Sequence, residues 1–213
     1  MSAFWLKLIA AASMLTDHIG ALFFPQLSVL RIVGRVSFPL YAFLAAEGAA
    51  NTRRPARYLA RLGVFALLSE LPFRLAFSVG WEYPLPRNVL FTLLAGVACC
   101  LVFSSQKPLP ALLFMLSAAA SAQLAGTDYG AYGVLCVVSF YLLRRERAGQ
   151  GIVFSLLTAL NSICAPAPLQ AFAVLGLAPC ALYSGERGRD LRWLFYVFYP
   201  AHLLLLWGIR AIA

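Results

Sequence analysis

Lys7, Asp17 and His18 lie in one apolar stretch near the start of the chain. A charged or titratable side chain in such a stretch is expensive to bury in lipid, so its presence points to a site. Lys7 and His18 are eleven residues apart. That is close to three helical turns, so they share one helix face, at a rise of about 16 Å or half a bilayer. A cation at the membrane edge and an imidazole near the middle suit an enzyme whose charged cosubstrate docks at the surface and reacts inside. A neutral imidazole is the natural general base for taking a proton from an acceptor hydroxyl or amine. The plainer reading of a lone histidine on an apolar helix is a hydrogen-bonded packing residue. Asp17 is about 100° around the helix from His18. It cannot readily bond the same ring, and is expected to partner another helix or a cation.

Further polar groups interrupt the apolar runs. Arg31 and Arg35 are one turn apart and face the same way. Snorkelling to the interface is the plain reading, but Arg35 sits well into its run beside Gly34, where another backbone can approach. Arg35 is expected to pair with Asp17 or Glu47. Glu47, next to Gly48, has no obvious partner in its own helix. Glu70 and Arg74 are four apart, the spacing of an in-helix ion pair, and Pro72 between them should kink that helix. Arg53, Arg54, Arg57 and Arg61 crowd one short loop and the helix after it. They read as a topology determinant, an anionic-lipid site, or a dock for phosphate, for which arginine forks are well shaped. His202 follows an aromatic run and is a second candidate for base or ligand-orienting work. Asp128, before Tyr129 and Gly130, is expected to cap a helix.

The frame around these residues is hydrophobic. Of 213 residues 62% are hydrophobic and 12% charged, and mean hydropathy is +0.82. Soluble domains carry roughly twice that share of charge. The chain is therefore expected to be all-α, a polytopic membrane helical bundle of one domain. Apolar runs bounded by charge, Pro or Gly predict about nine transmembrane helices, near 4–24, 29–50, 57–79, 88–104, 108–125, 130–143, 151–164, 168–183 and 193–212. Segments 130–143 and 151–164 are short for a full crossing. The first span reads as retained rather than as a cleaved signal. With the N-terminus in the cytosol, 12 of the 17 Lys and Arg residues, Arg192 among them, fall on the cytosolic side. The net charge of +9 is read as this asymmetry and not as a sign of nucleic acid. The five cysteines have no metal-ligand spacing, and no metal is expected.

Several blocks together resemble the TraX family, membrane proteins named for the acetylase of conjugative pilin. They include Thr16-Asp17-His18-Ile19-Gly20, Gly34-Arg35-Val36-Ser37-Phe38-Pro39, Tyr58-Leu59-Ala60-Arg61-Leu62, Ser69-Glu70-Leu71-Pro72-Phe73, Asp128-Tyr129-Gly130 and Phe195-Tyr196-Val197-Phe198-Tyr199-Pro200-Ala201-His202-Leu203. The resemblance implies acyl transfer from cytosolic acetyl-CoA to an acceptor at or beyond the membrane, a pilin-like protein, a glycan or a small amine. It implies a multi-pass protein of the bacterial inner membrane. His18 is then the expected general base, with Asp17 and Arg35 in the catalytic group. Lys7, Arg53, Arg54, Arg57, Arg61 and His202 are expected on acetyl-CoA, whose pantetheine arm runs up the Lys7/His18 face. Arg31, Glu47 and Glu70 are expected toward the acceptor. Membrane lipid is the remaining partner. The rival expectation is a proton-coupled transporter, since intramembrane Asp, Glu and His also serve proton relays. No internal repeat of the kind many transporters show is visible.

Overall fold

A computed structural model describes residues 1–80, 87–164, 168–189 and 192–212, and the side chain of Arg192 lies outside what is described. Among the described residues every regular element is helical. The chain runs through α1 (Ala3–Phe23), α2 (Ser28–Gly34), α3 (Ser37–Asn51), α4 (Pro55–Phe77), α5 (Val89–Ser105), α6 (Pro108–Ala125), α7 (Gly130–Leu142) and α8 (Arg147–Cys164). A 3-10 helix (Pro168–Gly176), α9 (Leu177–Ala181) and α10 (Arg192–Ile212) complete it. Pro55 and Pro108 open their helices at the first turn, where a missing N–H costs nothing. Asn88 caps α5 by accepting from the Leu90 N–H at 3.1 Å.

Among the described residues, four helices are long and apolar enough to cross a membrane: Ala3–Phe23, Ser28–Asn51, Pro108–Ala125 and Trp193–Ile212. The other expected spans are present as helical segments but fall short by length or composition. α4 carries Arg57, Arg61, Glu70 and Arg74, and α7 has 13 residues, a length of about 20 Å. α7 is instead enclosed by protein, packed against α3, α5, α6 and α8. Two glycines allow that packing: a β-carbon on Gly96 would collide with Val137, and one on Gly133 with Thr92. The outward faces are apolar at helical spacing. Examples are Val64, Leu67, Leu68 and Leu71 on α4, and Ile152, Leu156, Leu160 and Ile163 on α8. Such faces suit lipid better than water.

Two expected spans are built differently. The second is bent. α2 and α3 join through Arg35 and Val36, which keep right-handed helical angles (φ −61° and −63°). Pro39 lacks the N–H that would bond the Arg35 carbonyl, so the ladder breaks there. The 168–183 segment is mostly 3-10. Gln170, Ala173 and Gly176 are its buried residues. Their spacing of three matches the 3-10 repeat, which lines them up on one edge. Pro72, by contrast, sits inside α4 without ending it.

The first turn of α1 is tied to the segment after α9. The Met1 amino group donates to the Leu182 carbonyl at 2.6 Å, and the Ala3 N–H to the Glu186 carbonyl at 2.8 Å. Lys7, the Arg53–Arg61 cluster and the start of α10 share this end of the bundle. Arg31, Arg35 and the Asp128 turn lie at the opposite end.

Candidate functional site

The Arg31 end holds a cavity of about 230 Å³. Asp17 and His18 from α1, Arg31 and Arg35 from the bent second segment, Asp128 and Tyr129 from the α6–α7 turn, and Tyr199 from α10 all contribute to its wall. Asp17 and His18 diverge around α1 as their 100° separation requires, and each has its own partners.

Asp17 joins two helices through charge. Arg31 Nη1 donates to Oδ2 at 2.7 Å, and Arg35 Nη2 donates to Oδ1 at 2.6 Å and Oδ2 at 2.7 Å. Arg31 Nη1 also reaches the Asp17 carbonyl at 3.1 Å. The carboxylate is 11% exposed. Two guanidinium groups on one carboxylate leave the cluster one positive charge in excess. Gly34 makes the approach possible, because a β-carbon there would overlap Cβ and Oδ1 of Asp17. Arg35 is held further by Gln170, whose Oε1 accepts from Nη1 at 3.2 Å. Gln170 donates in turn to the Tyr132 hydroxyl at 3.4 Å. Of the two arginines, Arg31 keeps Nε and Nη2 free of hydrogen bonds among the described residues.

His18 has a partner of a different kind. Its Nδ1 lies 2.8 Å from Nε2 of His202, and Nδ1 of His202 lies 2.7 Å from the Phe198 carbonyl oxygen. The ring planes are within 9° of each other with centroids 5.0 Å apart, as an edge-to-edge N–H···N bond requires. The carbonyl fixes the tautomers, because it can only accept. His202 must therefore carry its proton on Nδ1, and its neutral ring offers Nε2 as an acceptor. His18 must then donate from Nδ1, which leaves its own Nε2 unprotonated. That Nε2 makes no hydrogen bond among the described residues, and the ring lines the cavity. A lone pair on an imidazole facing an open cavity is the arrangement general-base catalysis needs.

The other expected site residues divide between the two ends. Lys7 and His18 do share one face of α1, but α10 covers that face. Lys7 Nζ sits 5.7 Å from the Phe195 ring centre, Met14 packs in one cluster with Tyr199, and His18 bonds His202. Residues 195, 199 and 202 recur at helical spacing, so an aromatic stripe of α10 lies along the expected channel and fills it. Arg61 stands over the Tyr58 and Tyr196 rings at 5.8 and 5.1 Å, at the Lys7 end. Arg53, Arg54 and Arg57 are exposed there. His202 is not with these cations; it belongs to the His18 pair.

Glu47 and Glu70 are not on the cavity wall. Glu47 lies near the far end of α3 from Arg35, about 18 Å along the helix. Its carbonyl accepts from Asn51 Nδ2 at 2.8 Å, and its Oε2 from the same group at 3.5 Å. Glu70 pairs with Arg74 at 2.8 Å and accepts from the N–H groups of Arg87 and Asn88 and from Asn88 Nδ2. Its carboxylate is thus occupied in holding the start of α5. Asp128 does not cap α7. Tyr129 holds the cap position in a left-handed conformation (φ 67°), with no side-chain capping bond. Asp128 instead contributes to the cavity, as do Tyr41, Phe73, Phe77 and Tyr199, which sequence reasoning passed over. Aromatic residues in apolar helices carry no signal that separates lipid-facing from cavity-lining positions. The Asp128-Tyr129-Gly130 block did carry one, an acidic residue beside an interrupted helix.

The chain matches the family model "TraX protein" over residues 2–210. It is 33% identical over 233 residues to a protein of Dichelobacter nodosus named probable fimbrial assembly protein FimC, serogroup H1, covering 96% of this chain and 94% of that one. It is 30% identical over 223 residues to protein TraX of Escherichia coli, covering 97% and 86% respectively. No solved structure gives a significant match. A family match over nearly the whole length, with two relatives aligned almost end to end, establishes that this chain belongs to the TraX family.

Proposed function

We propose that the chain is an acetyl-CoA-dependent acyltransferase of the bacterial inner membrane, with His18 as its general base. The supporting observation is the bare Nε2 of His18 on a cavity wall, with its tautomer fixed by His202. In this reading the N-terminus is cytosolic and the nine helical segments cross or enter the bilayer. The Lys7 end then faces the cytosol, and the cavity opens toward the outer side.

Lys7, Arg53, Arg54, Arg57 and Arg61 would hold the phosphates of acetyl-CoA, since cations and guanidinium forks suit phosphate. The thioester arm reaches His18 between α1 and α10. α10 packs mainly on α4 and less on α1, so the α1–α10 seam is the one that must part. The acceptor, an amine or hydroxyl, enters the cavity from the other side. Its nucleophile attacks the thioester carbonyl while Nε2 of His18 takes its proton. The new acyl bond forms, the C–S bond breaks, and the imidazolium returns the proton to the departing CoA thiolate. His202 keeps its bond to Nδ1 of His18 throughout and stabilises the charged ring. Arg31, with two donors uncommitted, is better placed than Arg35 to receive the developing oxyanion. Arg35 holds Asp17 in position. No protein nucleophile is needed. The name of the Dichelobacter relative, a fimbrial assembly protein, favours a pilin-like acceptor over a glycan or small amine.

The test uses purified protein in detergent. It should bind acetyl-CoA and slowly release free CoA. His18→Ala should keep the binding and lose the release. Turnover that survives this substitution would remove His18 from the role of base, and absence of acetyl-CoA binding would favour a transporter.

A further inference from the structure

The cavity wall carries three tyrosines that the proposed chemistry does not use, Tyr41, Tyr129 and Tyr199. Tyr129 is stacked on Phe38, centroids 3.8 Å apart, and Tyr41 packs against the core from α3. Tyr199 differs from both, because its oxygen is held. It precedes His202 by three residues and shares its face of α10. Its ring is 5% exposed, packs with Met14, Ala76 and Leu203, and lies 5.7 Å from the His202 ring between centroids. Its oxygen accepts from the Val89 N–H. Val89 is the first residue of α5, where a helix provides no carbonyl of its own for the N–H. Asn88 satisfies Leu90, and the Val89 donor is left for Tyr199. With one side of the hydroxyl oxygen taken, the O–H must point elsewhere. Among the described residues no side chain accepts it. Asp128, on the same wall, is already engaged by the charges of Arg35 and Arg31 and by the Tyr129 N–H. A hydroxyl that accepts one hydrogen bond is polarised into a stronger donor for the next.

The direction of the thioester's approach gives this donor a use. A thioester arm entering between α1 and α10 passes Phe195 and then Tyr199 before it reaches His18. α1 packs against both α2 and α10, so Arg31 and Tyr199 reach the space before His18 from different helices. We propose that Tyr199 is a second oxyanion donor of the acyl transfer, its O–H aimed by the Val89 N–H at the thioester carbonyl oxygen. The inference rests on the acyltransferase reading and adds a catalytic residue to it. As the acceptor nucleophile attacks, the carbonyl π pair moves onto oxygen, and the Tyr199 O–H and Arg31 hold the resulting charge. The pair returns as the C–S bond breaks. Tyr199 keeps its proton throughout, and the transferred proton still passes through Nε2 of His18. Two fixed donors on one developing oxyanion act on the transition state and not on the ground state. Loss of Tyr199 should therefore appear in kcat and spare the binding of acetyl-CoA.

Tyr199→Phe keeps the ring and its packing and removes only the hydroxyl. CoA release by purified protein in detergent should fall about hundredfold in kcat, the cost of one oxyanion donor, with KM for acetyl-CoA unchanged. S-trifluoroacetonyl-CoA, whose hydrated carbonyl is tetrahedral, separates a catalytic role from a structural one. Its Kd should weaken about tenfold in the variant, the worth of one hydrogen bond to a charged group, while the Kd of acetyl-CoA stays put. Val89→Pro tests the aiming, since proline is tolerated at a first helical position and has no N–H to donate. It should lower kcat about fivefold in the wild-type background, the worth of one ordinary hydrogen bond, and not at all in Tyr199→Phe. Unchanged kcat in Tyr199→Phe, equal weakening of acetyl-CoA and its analogue, or the same effect of Val89→Pro in both backgrounds overturns the inference and leaves the acyltransferase reading standing. A wild-type protein that never releases CoA overturns both.

Discussion

Replacing His202 isolates the contribution of the imidazole pair. In His202→Leu the ring of His18 keeps its place on α1 but loses the acceptor at 2.8 Å from Nδ1. Two effects follow. The Nδ1–H of His18 is left without a partner in a half-buried site, and nothing selects the tautomer with a bare Nε2. An unmet donor of this kind costs about 1–3 kcal/mol. If the whole cost falls on the transition state, in which the ring becomes charged, kcat drops by about fivefold to about 150-fold. KM for acetyl-CoA should hardly change, because Lys7 and the arginines proposed to hold its phosphates lie at the other end of the bundle. His202→Gln offers an amide oxygen in place of Nε2 and should lose less than His202→Leu. The assay is chromatographic measurement of CoA released by purified protein in detergent, with circular dichroism confirming that both variants keep their helices. Full activity in His202→Leu would refute the argument that His202 sets the state of His18. A rise in KM for acetyl-CoA with unchanged kcat would return His202 to the cosubstrate site.

Other substitutions probe separate parts of the account. Asp17→Asn removes the charge that two arginines share. Breaking a buried pair costs about 3–5 kcal/mol, and the lower end applies because the Arg31 side chain is 29% exposed. At about 2–4 °C per kcal/mol for a chain of this size, thermal unfolding in detergent should fall by about 6–12 °C, and adding Arg35→Gln should restore part of it. An unchanged Tm would mean the cluster does not hold α1 to the bent second segment. Lys7→Ala and Arg61→Ala should each raise KM for acetyl-CoA about fivefold, with kcat unchanged. KM of the wild-type protein should rise with ionic strength, since salt screens exposed charge pairs. If KM ignores both the substitutions and the salt, these cations serve topology or lipid instead.

Much of the architecture was legible because helical membrane proteins write their elements into runs of apolar residues. The expected segments coincide with helices to within a few residues for α1, α4, α5, α6, α7 and α10. Local chain chemistry decided the rest. The bend at Arg35 follows from Pro39, and the 3-10 winding at 168–176 follows from a three-residue spacing hidden in an apolar run. Pairings within one helix, Glu70 with Arg74 above all, were readable from spacing. The Asp17–Arg35 pair was expected, because a buried carboxylate needs a cation and Gly34 marks a close approach. The His18–His202 bond joins residues 184 positions apart, and no local pattern encodes which helix lies against α1. For the same reason the Lys7–His18 face was read as open when α10 occupies it. Asp128 was assigned to a helix cap on residue type alone; the left-handed Tyr129 moves the helix start past it and frees its side chain for the cavity.

The central claim is that an acetyl group passes from one face of the membrane to the other by way of His18. Inside-out membrane vesicles test it, with acetyl-labelled acetyl-CoA supplied only to the exposed cytosolic face and glycinamide enclosed in the lumen. The account predicts labelled N-acetylglycinamide inside vesicles carrying the wild-type protein and none above background with His18→Ala. Equal labelling with His18→Ala, or labelling only when acetyl-CoA and glycinamide share one side, would contradict it.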